Sequence, residues 1–433
     1  MKSKYKVIDS IMGSGKSQYG INMIIDNPDK KFIYVTPFLN EVQRVLYKVN
    51  DNIDYNQDDK INFPKPRSRK KGDRILEPTV IKNRKLEGFR QLIKYGSSIV
   101  TTHSLISSFD LDIQDMLSVG GYTLILDEVV EVVHPFSFPS ESDKQTFFAH
   151  FGYVGDDGYL CWNNELYPPE DYKGRFSDIM TLCINRNLLL INGTVYLWEM
   201  PVNIFRNFEE VYIFTFLFKG SYQKYYFDLF NVEYEYYSME NRKLVEYKPL
   251  SEEALTEIRS LIDIYEGNLN NIGDKAFSFS SSWYSKNISV KDKKESIYLE
   301  SVKNATYNYF KNIVKGTSEL NMWSCFKAYK SLLSGKGFTK GYLEYNVRAT
   351  NAYRHKKNIA YLVNIFPHPS MIQYFKQKDI ELDSDSYALS IMLQYIWRSR
   401  IRQEALPLEE RAINLFLPSL RMRNILLSFL NSK

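Results

Sequence analysis

The sequence predicts an α/β fold of two parallel-sheet units with an insertion in the first, and three observations predict it. Strand and helix signals alternate almost throughout the 433 residues, as in chains that wind helices between parallel strands. A Gly-rich loop follows the first apolar run. A later apolar run in the same half ends in two adjacent carboxylates.

Taken in order, strands are expected at residues 6–9, 32–36, 98–102, 124–127 and 211–218, each a short apolar run. Between the last two, the segment from about residue 135 to 201 is rich in aromatic, Gly and Pro residues and breaks the rhythm, so it reads as an inserted subdomain or a long structured loop. The rhythm resumes with strands expected at 232–237, 276–280, 322–326, 359–365 and 413–417. Helices are expected near 386–402 and 419–430. The simplest partition joins the units near residues 220–248, giving a first domain over 1–230 and a second over 231–433.

The length suffices for two or three domains with proper cores. No run of about 18 or more apolar residues and no charged-then-apolar leader is present, so no membrane partner is expected. Cys161, Cys183 and Cys325 are scattered without ligand spacing, which argues against a disulfide framework or a zinc site and fits a reducing cytoplasm. The net charge of +5 permits nucleic-acid binding without demanding it. Six basic residues (Lys65, Arg67, Arg69, Lys70, Lys71 and Arg74) cluster among Pro64, Pro66 and Gly72, a pattern that serves equally as a phosphate-tracking loop or a solvated one.

The chemistry begins at Met12–Ser17, MGSGKS. Gly13 and Gly15 let backbone N–H groups turn inward on phosphates, Ser14 lies between them, and the following helix aims its positive end at the same place. Lys16 reaches the β- and γ-phosphates in such a loop, and the Ser17 hydroxyl ligates Mg²⁺. Ser10 stands where the usual pattern has Gly. Read alone, so short a motif is also compatible with a chance Gly-Ser turn. Leu124–Val130, LILDEVV, reads as a buried strand delivering Asp127 to the Mg²⁺ shell and Glu128 to the attacking water. An isolated Asp-Glu pair is more simply a strand end capping a helix, and its pairing in order with the loop reverses that balance.

The order of motifs resembles superfamily 2 DEAD-like helicases of bacteriophage type. It consists of the loop, then Tyr34-Val35-Thr36-Pro37, then Val100-Thr101-Thr102-His103-Ser104, then Asp127-Glu128, then NVRATN at residues 346–351 and QYIWRSRIR at residues 394–402. The resemblance implies two RecA-like domains and ATP with Mg²⁺ as cofactors. It places Thr36, Pro37, Thr102 and His103 on the nucleic-acid backbone, and Thr215 between the ATP site and the nucleic-acid path. It puts Ser280 and Trp283 near a base, and Arg348, Thr350 and Asn351 where nucleotide state couples to the bound strand. Thr36-Pro37 also reads as a strand-ending turn, Trp283 as core and Asn351 as a helix cap.

On a helix, Gln394, Arg398 and Arg402 share one face at i, i+4 and i+8. Arg398 and Arg402 are therefore the pair expected at the γ-phosphate, with either as the finger and Gln394 beside the nucleotide. The activity implied is an ATP-dependent helicase or translocase on single-stranded or forked DNA, with RNA left open, in phage replication or recombination and with proteins of those processes as partners. The alternatives are a nucleic-acid-stimulated ATPase that remodels or translocates without unwinding, and a P-loop enzyme or packaging-type motor without a second-domain arginine.

Overall fold

The computed structural model describes residues 3–53, 65–82, 84–288, 296–346, 352–403 and 405–432. The first sheet opens with β1 (Tyr5–Asp9), β2 (Lys31–Thr36), β3 (Ile75–Leu76), β4 (Ser98–Thr102) and β5 (Tyr122–Asp127). An insertion follows, with β6 (Val133–Pro135), β7 (Gly152–Val154), β8 (Leu160–Trp162), β9 (Leu188–Ile191) and β10 (Val195–Glu199). The first sheet then resumes with β11 (Glu210–Thr215), β12 (Tyr234–Glu240) and β13 (Lys243–Glu246). The second sheet is built from β14 (Ile262–Ile264), β15 (Asn321–Ser324), β16 (Asn358–Tyr361) and β17 (Ile413–Phe416).

The first sheet runs β13-β12-β1-β11-β5-β2-β4-β3, parallel except for β13. Its central strands are covered on both faces, which is why they read as continuous apolar runs such as Phe32–Val35 and Leu124–Leu126. The second sheet, β14-β17-β16-β15, is wholly parallel. The protein is thus an α/β molecule of two parallel-strand units, as the alternation of signals predicts.

The insertion folds on an antiparallel sheet, β6-β10-β9, with the β7-β8 hairpin beside it. Its aromatic content becomes a packed core in which Phe151 stacks on Trp162 at 5.5 Å and Phe138, Phe147 and Phe176 close around them. The carboxylate of Glu199, at the end of β10, accepts hydrogen bonds from Tyr159 of the insertion and from Tyr374 of the later helix Pro369–Lys376. Burial raises the Glu199 pKa. That clasp ties the insertion to the second half of the chain.

Four sequence expectations are corrected. β12 and β13 join the first sheet, so the unit extends to Glu246, beyond the division at 230/231. Residues 276–280 form no strand, because Phe279 takes a left-handed φ of 63° and the Ser280 hydroxyl accepts from the Trp283 N–H to cap the helix Ser281–Asn287. The helix expected over 386–402 runs Ser384–Ile396 and breaks before Arg398. The run at 211–218 is strand only to Thr215, since Leu217 takes φ 58° and Phe218–Gly220 make a helical turn.

Three of the six residues of the basic cluster are engaged internally. Arg67 forks between Asp51 and Asp73, Lys70 pairs with Asp51 at 3.0 Å, and the Arg74 guanidinium donates to the Ile25 carbonyl at 2.9 Å. Charges spent in this way anchor a loop to its own domain rather than to a phosphate chain.

The two units meet across a tight seam. A Cβ placed on Gly220 would stand 2.3 Å from the Ser386 carbonyl oxygen, so only glycine lets the turn after β11 approach the helix Ser384–Ile396 this closely. Beside it Tyr222 stacks on Tyr387 at 4.9 Å, and the Tyr225 hydroxyl accepts from the Asp383 N–H at 2.9 Å.

Candidate functional site

The loop between β1 and the helix Lys16–Asp26 has the backbone that its glycines allow. Gly13 and Gly15 take φ of 95° and 89°, left-handed values that a side chain would strain, and Gly15 caps the helix. Lys16 is 9% exposed, and its ammonium folds back onto the loop, donating to the carbonyls of Ser10 and of Ile11, the latter at 2.9 Å. Burial pushes the Lys16 pKa down to about 8, opposed by the charges of Glu128, Asp9 and Asp127. An ammonium held among carbonyls, with no carboxylate at ion-pair distance among the described residues, is placed to receive an anion.

Ser10 explains its own departure from the glycine pattern. Its hydroxyl accepts from the Met239 N–H at 2.8 Å, while its N–H donates to the Thr215 carbonyl at 3.0 Å. The loop is thereby fastened to β12 on one side and β11 on the other. Thr215 itself is 1% exposed, and its hydroxyl has no partner among the described residues. Asp9, at the end of β1, accepts from the N–H groups of Leu217 and Phe218 at 2.7 and 3.0 Å, and burial raises its pKa.

The sheet order brings the acidic pair to the same edge, with β11 alone between β5 and β1. The Ser17 hydroxyl donates to Asp127 Oδ1 at 3.0 Å, and the Tyr34 hydroxyl donates to Oδ2 at 2.8 Å. One hydroxyl and one carboxylate of hard oxygen character suit Mg²⁺, which keeps several waters and takes few protein ligands. Burial raises the Asp127 pKa, with Arg44 opposing. Arg44 Nε donates to Glu41 Oε2 at 2.7 Å; although burial opposes its charge, Glu41 and Asp127 hold its pKa above the ordinary value.

Glu128 has a φ of 81°, left-handed for a residue with a side chain, and its N–H is pinned to the Phe214 carbonyl at 2.9 Å. Such a backbone costs about 1–3 kcal/mol and persists where the surroundings enforce it. Its Oε2 is buried with no hydrogen-bond partner among the described residues. A strained carboxylate with a free buried oxygen is a group arranged for a ligand or water rather than for stability.

The second unit reaches this site through Arg402. On the turn Arg400–Arg402, its guanidinium lies within the fields of Glu41, Arg44, Glu128 and Asp127, and burial lowers its pKa. Because the helix ends at Ile396, Arg398 and Arg402 do not share a helical face. Arg398 is buried just past the helix end and Gln394 sits half-buried in its last turn. Arg400 turns away and donates to the carbonyls of His355 and Glu410.

The other expected residues fall in three places. Thr36, Pro37, Thr102 and His103 gather at adjacent strand ends, where Thr36 is in register with Thr102; Thr36 is fully buried and the other three are half-buried. Ser280 is buried as a helix cap, and Trp283 stacks on Phe279 at 5.1 Å. Arg348, Thr350 and Asn351 lie outside the described residues. Sequence reasoning missed Tyr34, Glu41 and Arg44. Tyr34 sits mid-strand where it reads as core, and only the sheet order aims its hydroxyl at Asp127.

Fold and site together define the class: an α/β protein in which a sheet carrying a Gly-rich loop is followed by a second parallel sheet of Rossmann-like type. Family models match two parts of the chain, the YonV C-terminal Rossmann-like domain over residues 256–430 and the YonV middle domain over residues 140–198. The SPbeta prophage-derived uncharacterized protein YonV of Bacillus subtilis (strain 168) is 37% identical over 438 residues, covering 99% of each chain. The chain belongs to this phage-related YonV family. Among the described residues no helix is long and apolar enough to cross a membrane.

Proposed function

We propose that this protein is an ATP-driven nucleic-acid helicase or translocase whose hydrolytic site is completed across its two units. The observation that carries the reading is Arg402, a half-buried cation from the second unit whose charge lies within the fields of Lys16, Asp127 and Glu128 of the first. An arginine in that place makes hydrolysis sensitive to how the units are set, which is what a motor requires.

The loop N–H groups and Lys16 hold the phosphates, and Ser17 with Asp127 orients the divalent ion. Mg²⁺, when bound, neutralises charge on the transferred phosphoryl group. Glu128 orients and deprotonates the attacking water through its free oxygen, and Arg402 stabilises the charge that develops on the γ-phosphate. Thr215, bonded through its carbonyl to the start of the loop, transmits loop position to the strand ends at Pro37, Thr102 and His103. Those strand ends face single-stranded or forked DNA, or RNA, through phosphate contacts, so binding is expected to be weakly sequence-specific and to fall steeply with salt.

The test is steady-state ATP hydrolysis by the wild type, Lys16→Ala and Arg402→Ala, with and without single-stranded DNA or RNA, at low and moderate salt. Stimulated hydrolysis lost in both variants, with unwinding of a forked duplex, is the expected result. Stimulation without unwinding assigns the narrower role of a translocating or remodelling ATPase. Hydrolysis that is absent, or indifferent to nucleic acid, overturns the reading.

A further inference from the structure

Beside the loop lies a cavity of about 630 Å³, within the range that small-molecule ligands occupy. Ser10, Ile11 and Ser14 of the loop form one wall, and Ser238, Glu240 and Tyr247 of the β12–β13 region form another. Ala254 and Leu255, on the helix Glu252–Leu261 that opens the second unit, form a third. We infer that this cavity is the nucleoside subsite, taking the base and ribose of a purine nucleotide whose phosphates lie on the loop. The inference rests on the nucleotide-binding reading above and adds the part of the ligand that reading leaves without a place.

Sheet order supplies the direction. Ser17 and Asp127, which suit the metal ion, stand on the β11–β5 side of β1, whereas the cavity reaches from Phe216, Leu217 and Lys219 after β11, past the end of β1, to the β12–β13 region. A polyphosphate that lies along the loop with its metal-bearing end at Ser17 has its other end directed toward β12. That wall is built into the loop rather than merely near it. The Met239 N–H is bonded to the Ser10 hydroxyl, and a Cβ placed on Gly15 would stand 3.3 Å from Arg242 Cγ, in the β12–β13 turn.

The lining has the chemistry of a base slot. Tyr247 is 41% exposed, packs at 5.2 Å on Tyr236 and leaves ring surface for a base to stack on. Pro249, Leu250 and Leu255 supply the apolar opposite side. Glu240, which lines the cavity and pairs with Lys248 at 3.3 Å, is the acceptor for ribose hydroxyls. Because the third wall belongs to the second unit, a bound nucleoside touches both units at once.

The test compares ADP with pyrophosphate, each with Mg²⁺, by titration calorimetry on the full chain. Neither probe is consumed by γ-phosphate hydrolysis, and pyrophosphate carries the phosphates alone. ADP is expected to bind about tenfold or more tighter than pyrophosphate. Tyr247→Ala, and Ala254→Phe, which fills the slot from a half-exposed position, are expected to bring ADP to within about twofold of pyrophosphate. Unchanged pyrophosphate binding in these variants certifies their fold and loop. Equal binding of the two probes by the wild type overturns the subsite and leaves the loop assignment standing, as does an ADP preference that both variants retain. Failure of both probes to bind overturns the nucleotide reading itself.

Discussion

At the scale of single residues, the acidic edge depends on how Asp127 is held. Tyr34 occupies Oδ2 and leaves Oδ1 to Ser17, so the carboxylate is oriented by a hydroxyl buried under the sheet. Tyr34→Phe removes that donor and is expected to raise the Mg²⁺ concentration for half-maximal hydrolysis by about 10–100-fold, the usual effect of losing an orienting partner. Nucleotide-free stability should change far less than Mg²⁺ dependence. Glu128→Gln keeps the shape and loses the base; hydrolysis is expected to fall by about 10²–10⁴-fold in a turnover assay while ADP binding is retained.

Lys16 adds a pH signature. Its pKa is pushed down to about 8 by burial in the free loop, and bound phosphate restores the charge. Below that pH the ammonium is already formed. Above it, binding requires taking up a proton, so ADP affinity is expected to drop about tenfold per pH unit until the pKa of the bound state is reached. Calorimetry between pH 7 and pH 9.5 reads this slope, and Lys16→Arg should flatten it.

At the scale of elements, the seam between the units is set by the turn Phe218–Gly220 against the helix Ser384–Ile396. Gly220→Ala drives a methyl toward the Ser386 carbonyl and must displace one element. The expected cost is about 1–3 kcal/mol in a denaturant titration, as for other overpacked contacts. Since Arg402 follows that helix, hydrolysis should fall more than the stability loss explains. The same segment shows why periodicity misleads there. Arg398 and Arg402 keep a four-residue spacing, yet the chain turns after Ile396, and spacing has meaning as a shared face only while the helix continues.

At the scale of the whole molecule, the insertion and the second unit are joined through Glu199, which Tyr159 and Tyr374 clasp from opposite sides of the chain. Motion of the second unit therefore has to carry or break this contact. Hydrogen exchange with and without ADP is expected to slow in the helix Glu252–Leu261, which lines the cavity beside the loop, and with it in the helix Ser384–Ile396, which packs on the turn after β11. Slowing confined to the loop would argue that closure does not accompany binding.

Much of this architecture is carried by local chemistry. The glycines of residues 12–17, the buried runs ending in Thr36, Thr102 and Asp127, and the aromatic break near 135–201 are patterns of a few neighbouring residues, and such patterns survive in one dimension. Residues 232–237 read as a strand of the second unit, yet β12 pairs with β1 and carries β13 with it, since a strand's sheet is chosen by long-range pairing rather than by its own composition. The stretch 276–280 alternates like a strand and ends as a turn, because the Ser280 cap and the left-handed Phe279 satisfy the backbone more locally. The sequence by itself determined two α/β units, a Gly-rich loop after the first strand and an acidic strand end in fixed order. Tertiary structure alone decided that Tyr34 steers Asp127, that Ser10 serves in place of glycine by binding β12, and that Arg402 is the arginine whose charge reaches the loop and the acidic pair. Those are contacts between residues tens to hundreds of positions apart, where direction in space, and not spacing along the chain, selects the partner.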